Sequence, residues 1–238
     1  MHRFFLAAAA ALIVHVAPSH ALTLTTEDYP PFNIIDAQTK SVTGISVDKV
    51  TEMMKRAHEP FTITPYPWSR AYQMALDLND TCVFSTTRTP EREPLFKWVG
   101  PLVKNDWVIF ARADDKRQPK TLEDLRPYTL GGYQNDAVGV FLKLQGFKVD
   151  MAAGDAENPK KLLHNRFDFW ATGEHLGRYL IKKSGTTNQI VPLFKFKSTE
   201  MHLACHLSMD PQRIEKLNRI LNEMEKDGTN ATIERKYQ

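Results

Sequence analysis

The chain has 238 residues, with 31 Lys and Arg against 28 Asp and Glu for a formal net charge of +3, and 42% of it is hydrophobic. Acidic and basic residues are interspersed, so composition carries no footprint for nucleic acid or an anionic membrane surface. The apolar share is enough to build real cores, in one large domain or in two smaller lobes.

Residues 1–21 read as a secretory signal. His2 and Arg3 form a weakly basic head, residues 4–16 are a compact apolar run, and Ser19-His20-Ala21 supplies small residues for cleavage. An apolar run of about 13 residues falls short of the roughly 20 that span a bilayer. The mature chain is therefore expected to begin at Leu22, in the periplasm. Export would put Cys82 and Cys205 where a disulfide persists, and one bridge or two free thiols are both open.

Residues 22–26 alternate as a strand and stop at Glu27-Asp28-Tyr29-Pro30-Pro31-Phe32, where two prolines force an extended turn. Residues 44–57 carry Ile45, Val47, Val50, Met53, Met54 and Ala57 at helical spacing. A strand at 61–65 follows. Pro67-Trp68-Ser69-Arg70 then opens a helix whose apolar face would use Ala71, Met74, Ala75 and Leu78. Cys82-Val83-Phe84 is a third strand, which runs into polar Ser85-Thr86-Thr87 and a basic, proline-marked loop, Arg88-Thr89-Pro90-Glu91-Arg92. Loops at the carboxyl ends of strands hold ligands in open α/β sheets, and Arg grips a carboxylate with two parallel hydrogen bonds. For any single arginine, a side chain facing water is the plainer reading. Residues 103–111 lead away as a further strand.

After the charged run 114–120 the pattern begins again. Strands are expected at 128–133, 147–152, 167–171 and 190–196, and helices at 136–145, 158–163 and 174–183. A strand at 201–206, a long amphipathic helix at 211–226 with Ile214, Leu217, Ile220, Leu221 and Met224 inward, and a short helix at 231–236 complete the chain. Repeated strand and helix units imply an α/β fold of parallel sheets with helices on both faces. Two such sets with a strand-helix remainder imply two lobes between which the chain crosses over and returns.

Motifs for chemistry are missing. There is no GxSxG elbow, no GxxxxGK[ST] phosphate loop, no GxGxxG fingerprint and no HExxH. His202, Cys205 and His206 lie close in sequence, but on an alternating strand the two histidines share one face and Cys205 takes the other, so no metal site and no cofactor are expected. Glu27 and Asp28 are carboxylates that a cleft could use for acid/base work.

The order of elements, with Tyr29-Pro30-Pro31-Phe32 after the first strand, Pro67-Trp68-Ser69-Arg70-Ala71 at the second helix and Ser85-Thr86-Thr87-Arg88-Thr89-Pro90-Glu91-Arg92 after the third strand, resembles the family 3 extracellular solute-binding proteins. The resemblance covers essentially the whole mature chain. It implies a two-lobed clamshell of the type II periplasmic-binding-protein kind with two crossover strands. The first lobe would comprise residues 22–108 and 199–238, and the second residues 109–198. A monomer of this kind captures a small polar solute, an amino acid or related compound, between its lobes and presents it to an ABC importer without catalysis. The alternatives are a clamshell enzyme of the dehydratase kind and a ligand-sensing partner of a membrane receptor.

Carried over by position, Tyr29 would be the aromatic that packs over the ligand, with a turn tyrosine packed on its neighbours as the bland alternative. Ser85 and Thr87 would meet the ligand carboxylate, Arg92 would clamp it with Arg88 as the nearby alternative, and Trp68 would be either a pocket wall or simple core. In the second lobe Gln134, Asp136 and Thr172 are the candidates. Gly131-Gly132-Tyr133-Gln134-Asn135-Asp136 runs into a helix N-terminus, where free NH groups suit an anion, yet Asp136 is more naturally that helix's own cap. The family's usual aspartate for the ligand ammonium group is replaced by Ala171-Thr172-Gly173, with Glu174 next. That departure argues against an ordinary α-amino acid as ligand. The implied topology lays 201–206 beside 81–85, and a Cys82–Cys205 disulfide is expected there, with a Cα separation of about 5 to 6 Å.

Overall fold

The computed structural model describes residues 21–237. The expected signal segment lies outside the described residues apart from Ala21. The chain runs β1 (Leu22–Thr26), a short hairpin of β2 (Ile34–Ile35) and β3 (Val42–Thr43), α1 (Ile45–Ala57), β4 (Phe61–Pro65), α2 (Trp68–Asp77), β5 (Thr81–Thr87) and β6 (Lys97–Arg112). It continues through β7 (Thr129–Tyr133), α3 (Ala137–Leu144), β8 (Lys148–Ala152), α4 (Asn158–Leu163), β9 (Phe169–Gly173), α5 (Glu174–Lys183), β10 (Ile190–Cys205), α6 (Pro211–Lys226) and α7 (Thr229–Arg235). None of the helices described is long and apolar enough to cross a membrane.

Eight strands join in one mixed sheet of order β4-β1-β5-β10-β6-β9-β7-β8. The expectation of two parallel sheets is met only at the two ends, where β1 lies parallel between β4 and β5, and β7 lies parallel between β8 and β9. The middle is antiparallel, because it is made by two strands that run between the halves in opposite directions, and these are longer than expected. Segments 190–196 and 201–206, expected as separate strands, are one 16-residue β10, and 103–111 extends to a 16-residue β6. The two pair from Ile190↔Arg112 to Cys205↔Lys97, a ribbon of roughly 50 Å at the usual rise per residue. Its two ends serve different neighbours. β5 meets β10 only at Met201–Cys205, whereas β9 meets β6 only at Trp107–Phe110. The molecule is thus two half-sheets carried on one shared pair of strands.

Helices cover both halves. α1 and α6 pack Val50, Met53, Met54, Leu217, Leu221 and Met224 onto Leu24 and Phe84 of the first half. In the second half Val138 and Leu142 of α3 pack with Leu130, Ile109 and Phe169. Each such side chain taken from water contributes about 1.5–3 kcal/mol. The expected face of α2 is corrected at one position: Leu78 is 47% exposed, because the helix ends at Asp77 and Leu78 turns to extended backbone, and Trp68 joins Ala71 and Ala75 inside. Gly44 precedes α1 at φ 125°, and a Cβ there would lie 2.4 Å from the Phe32 carbonyl oxygen, so only glycine lets α1 start against the Tyr29 turn.

Cys82 and Cys205 are bridged, with Cα atoms 4.0 Å apart, closer than the expected 5 to 6 Å. The register explains it. His206 N donates to Thr81 O, which makes Cys82↔Cys205 the adjacent non-hydrogen-bonded pair, the narrow position of an antiparallel ladder.

Candidate functional site

β1 and β5 lie side by side and parallel, so the residues following them share one edge. Residues 85–87, read from sequence as a polar loop, are still strand, but the strand is bulged. Val83 pairs with Ala204 and Thr86 with His202, which gives β5 one more residue than β10, and Ser85 sits at φ 58°. Bulges re-aim side chains beside functional sites, and a left-handed non-glycine residue is held there by its surroundings. Ser85 Oγ donates to Asn33 Oδ1 at 2.9 Å, and Asn33 in turn closes the Tyr29 turn through paired backbone hydrogen bonds. Ser85 therefore fixes the Tyr29 loop.

Of the two candidate arginines, Arg88 turns away to Glu93 with two 2.5 Å hydrogen bonds and is 43% exposed. Arg92 is the buried one. It donates to Thr87 O at 3.1 Å and to Asn135 O at 2.6 Å, and its guanidinium lies over the rings of Tyr72 and Trp68 at 5.0 and 5.5 Å. Trp68 Nε1 also donates to Asn135 O, at 2.8 Å. One carbonyl of the second half thus receives both donors of the first. Thr87 takes part through this backbone oxygen.

In the second half Asp136 caps α3, accepting from Val138 N and Gly139 N, and burial raises its pKa against the pull of Arg92. Gln134 is exposed, and its backbone oxygen accepts from Ser69 Oγ at 3.4 Å. Thr172 is buried and donates to Asp155 Oδ2 at 2.5 Å. Asp155 also accepts from Asn158 and Trp170 at 2.6 and 2.9 Å, yet burial pushes its carboxyl up to about 7. Glu27 accepts from Tyr133 Oη across the cleft at 3.1 Å, and burial, with Asp136 and Asp155 adding repulsion, holds its pKa well above the usual carboxylate range. Glu174 is turned to Arg178.

Tyr29 is buried, accepts from Asn105 Nδ2 at 3.1 Å and stacks on Phe32. Its hydroxyl fills the space a side chain at residue 173 would take: a Cβ on Gly173 would sit 2.0 Å from Tyr29 Oη. Beside these contacts lies a cavity of about 480 Å³, with Glu27, Asp28 and Trp68 from the first half facing Tyr133, Asp155 and Leu176 from the second. Among the described residues no cluster of three or more His, Cys, Asp or Glu side chains could hold a metal ion.

Tyr29, Trp68, Arg92, Asp136 and Thr172 are brought together; Ser85 and Thr87 stand one contact behind, and the Gln134 side chain stays at the surface. Sequence reasoning missed Asp155, Tyr133 and Asn105 as members. Asp155 follows a strand end, the signal that pointed to Arg92, whereas Asn105 lies within a strand and offered none.

The fold has close structural likenesses. A mutant of the arginine-binding protein ArgBP from T. maritima superposes with a TM-score of 0.77 at 22% identity, over 91% of this chain and 94% of that one. A histidine kinase sensor domain with similarity to periplasmic binding proteins gives 0.83 at 19% identity, over 92% and 96%. The ancestral amino acid-binding protein AncCDT-1, a precursor of cyclohexadienyl dehydratase, gives 0.74 at 22% identity, over 91% and 95%. These likenesses show the fold to be the two-lobed type II clamshell with two crossover strands. No curated protein sequence matches the chain significantly. The sequence profile of the bacterial extracellular solute-binding proteins, family 3, matches residues 22–238.

Proposed function

Because the chain belongs to the bacterial extracellular solute-binding proteins of family 3, we propose that it captures a small polar solute, an amino acid or a related compound, in the cleft between its lobes. The lobes in this reading are residues 22–108 with 199–238, and residues 109–198. The observation that carries it is the convergence of buried Arg92 and Tyr29 from one side with Asp136, Asp155 and Thr172 from the other. Arg92 and Trp68 both point their donors at a single acceptor, Asn135 O. A ligand carboxylate presents the same kind of acceptor with a full charge, and charge-assisted hydrogen bonds to Arg are the stronger ones. Tyr29 and Trp68 supply flat apolar walls at low entropy cost. The protein acts as a monomer in the periplasm and delivers its solute to an ABC importer in the membrane.

A thermal-shift screen over amino acids, organic acids, amines and sugars tests the reading, since a solute bound only by the folded state raises the melting temperature by mass action. At a hundred times its Kd a solute adds about 2.7 kcal/mol, a shift of roughly 5–10 °C for a chain of this size. A screen without any such shift overturns it. Recovery of the bound compound separates receptor from enzyme, because a receptor returns its solute unchanged. Two of the likenesses, to a sensor domain and to a dehydratase precursor, give those alternatives their place.

A further inference from the structure

A second cavity, of about 570 Å³, shares no lining residue with the one beside Glu27 and Asp155. Lys49 of α1 and Asn230 of α7 reach it from the first half, Leu102 and Val103 from β6, and His175 of α5 from the second half. It therefore lies against both halves and the ribbon that joins them. None of the residues proposed to meet the solute lines it.

Its deeper walls are apolar. Phe32, Leu102 and Val103 are buried, with Ile45 and Tyr237 partly buried beside them. Asn230 is the polar exception with an unmet demand. It is 5% exposed and donates Nδ2 to Glu225 Oε2 at 2.8 Å, which fixes the orientation of the amide and leaves Oδ1 with no hydrogen-bond partner among the described residues. A buried amide oxygen calls for a donor. The charges on the wall are of both signs and already opposed. Buried Lys49 donates to Leu102 O at 2.7 Å and to Glu234 Oε1 at 2.6 Å, and Lys104 stands across the ribbon from Glu200. The Lys49 ammonium group repels a cationic occupant, and Glu225 and Glu234 repel an anionic one. What fits is a neutral donor. A water molecule could give that hydrogen bond, but only a molecule with an apolar body also removes the apolar walls from water.

We propose that this cavity is a second binding site, for a small neutral alcohol or phenol whose apolar body lies against Phe32, Leu102 and Val103 and whose hydroxyl donates to Asn230 Oδ1. The site is separate from the cleft between Glu27 and Asp155, and it stands or falls independently of the solute-binding reading. Its volume suits a ligand of that size, since small-molecule pockets run from roughly 300 to 1,000 Å³ and favour the seams between lobes.

The test titrates the mature chain at neutral pH with p-cresol, with 4-methylanisole, which keeps the ring and caps the oxygen, and with hexylamine and hexanoate as charged apolar probes, followed by proton–nitrogen correlation spectra. p-Cresol should saturate, shifting Lys49, Leu102, Val103 and the Asn230 side-chain amide but not Tyr133 or Asp155, and should bind roughly tenfold more tightly than 4-methylanisole. Asn230→Ala should erase that preference by lowering p-cresol to the level of the ether, a change that a merely structural role for Asn230 would not produce. His175→Trp adds bulk to the cavity from an exposed position and should weaken both ring probes about tenfold with the fold intact. Equal binding of p-cresol and 4-methylanisole, a preference for hexylamine or hexanoate, shifts centred on Tyr133 and Asp155, or no saturation by any probe overturns the assignment. Should Asn230→Ala fail to fold, His175→Trp decides alone, and an unchanged affinity for p-cresol in that variant removes the site.

Discussion

Asp155 makes the sharpest demand at the scale of single residues. Its carboxyl accepts three side-chain hydrogen bonds that favour the charged form, and burial still outweighs them, lifting it from 3.8 to about 7. The folded chain thus holds this proton more tightly than the unfolded chain. The stability it contributes is complete below pH 4 and is lost as pH rises through 7, a swing on the order of 2–4 kcal/mol. Asp155→Asn should therefore be more stable than the parent at pH 8 and should lose that advantage towards pH 4, read from urea melts across the range. Carboxyls such as Asp106 and Asp115, which their partners pull below the usual range, act in the opposite sense in both proteins and cancel in the difference. The arginines give a second contrast. Arg92→Ala removes a charge-assisted hydrogen bond worth about 1.5–3 kcal/mol, so affinity for a carboxylate-bearing solute should drop about 10- to 100-fold. Arg88→Ala breaks only an exposed pair with Glu93, of the kind that contributes about 0–1 kcal/mol, and should leave affinity within about threefold. Equal losses for both in a titration would remove Arg92 from the site. The sequence marked the loop of Arg88 and Arg92 by a strand end and a proline, and the resemblance favoured Arg92 by its spacing from Thr89; that Arg92 is the buried one and Arg88 the exposed one emerges only from the fold. Asn105 was not legible, since its importance arises only when β9 brings Gly173 beside it.

Elements with an apolar period declared themselves. α1, α4, α5 and α6 lie where residue spacing put them, because each buries a stripe against the sheet. The central stretch of β10 did not. Residues Lys197, Ser198, Thr199 and Glu200 look like a polar loop, yet they pair with Lys104, Asn105, Asp106 and Trp107 of β6. Several of these side chains remain partly or fully exposed, so no apolar alternation marks a strand whose reason to be extended is its partner. The same strand carries Cys205, and here an element-level test is possible. The disulfide closes a sequence separation of 123 residues, for which the chain-entropy account gives about 4–5 kcal/mol. The bridge also pins the carboxyl end of β10, and with it α6, to β5. Replacing both cysteines by alanine should lower the melting temperature by roughly 10 °C or more, and reductant should do the same to the parent but nothing further to the double variant. A parent chain that melts identically with and without reductant would show that the bridge contributes nothing.

Closure belongs to the whole molecule, for it needs both halves and the ribbon between them. Polar contacts join the halves at Asn135 O and at the Tyr133–Glu27 hydrogen bond, and the Tyr29 hydroxyl packs against Gly173. A clamshell that opens and shuts about its crossover strands is biased by whatever fits in the shut form alone. Gly173 is such a point: a Cβ there would stand 2.0 Å from Tyr29 Oη and 3.1 Å from the ring carbon that bears it. The first distance is impossible and the second only tight, while Asn105 Oδ1, 2.8 Å from the same Cβ, ends a side chain that loses its Tyr29 partner when that hydroxyl oxygen goes and can then shift. Gly173→Ala should therefore hold the lobes apart, enlarging the radius of gyration measured by small-angle scattering with solute present and weakening binding by tenfold or more. Tyr29→Phe removes the clashing oxygen along with its hydrogen bond from Asn105, at a modest loss of its own. Combined, the two changes should bind more tightly than Gly173→Ala alone, a coupling of opposite sign to simple addition of two defects. Strict additivity in that double-mutant cycle would mean that the Tyr29 hydroxyl does not press on Gly173 when the solute is held, and that the lobes close in some other register.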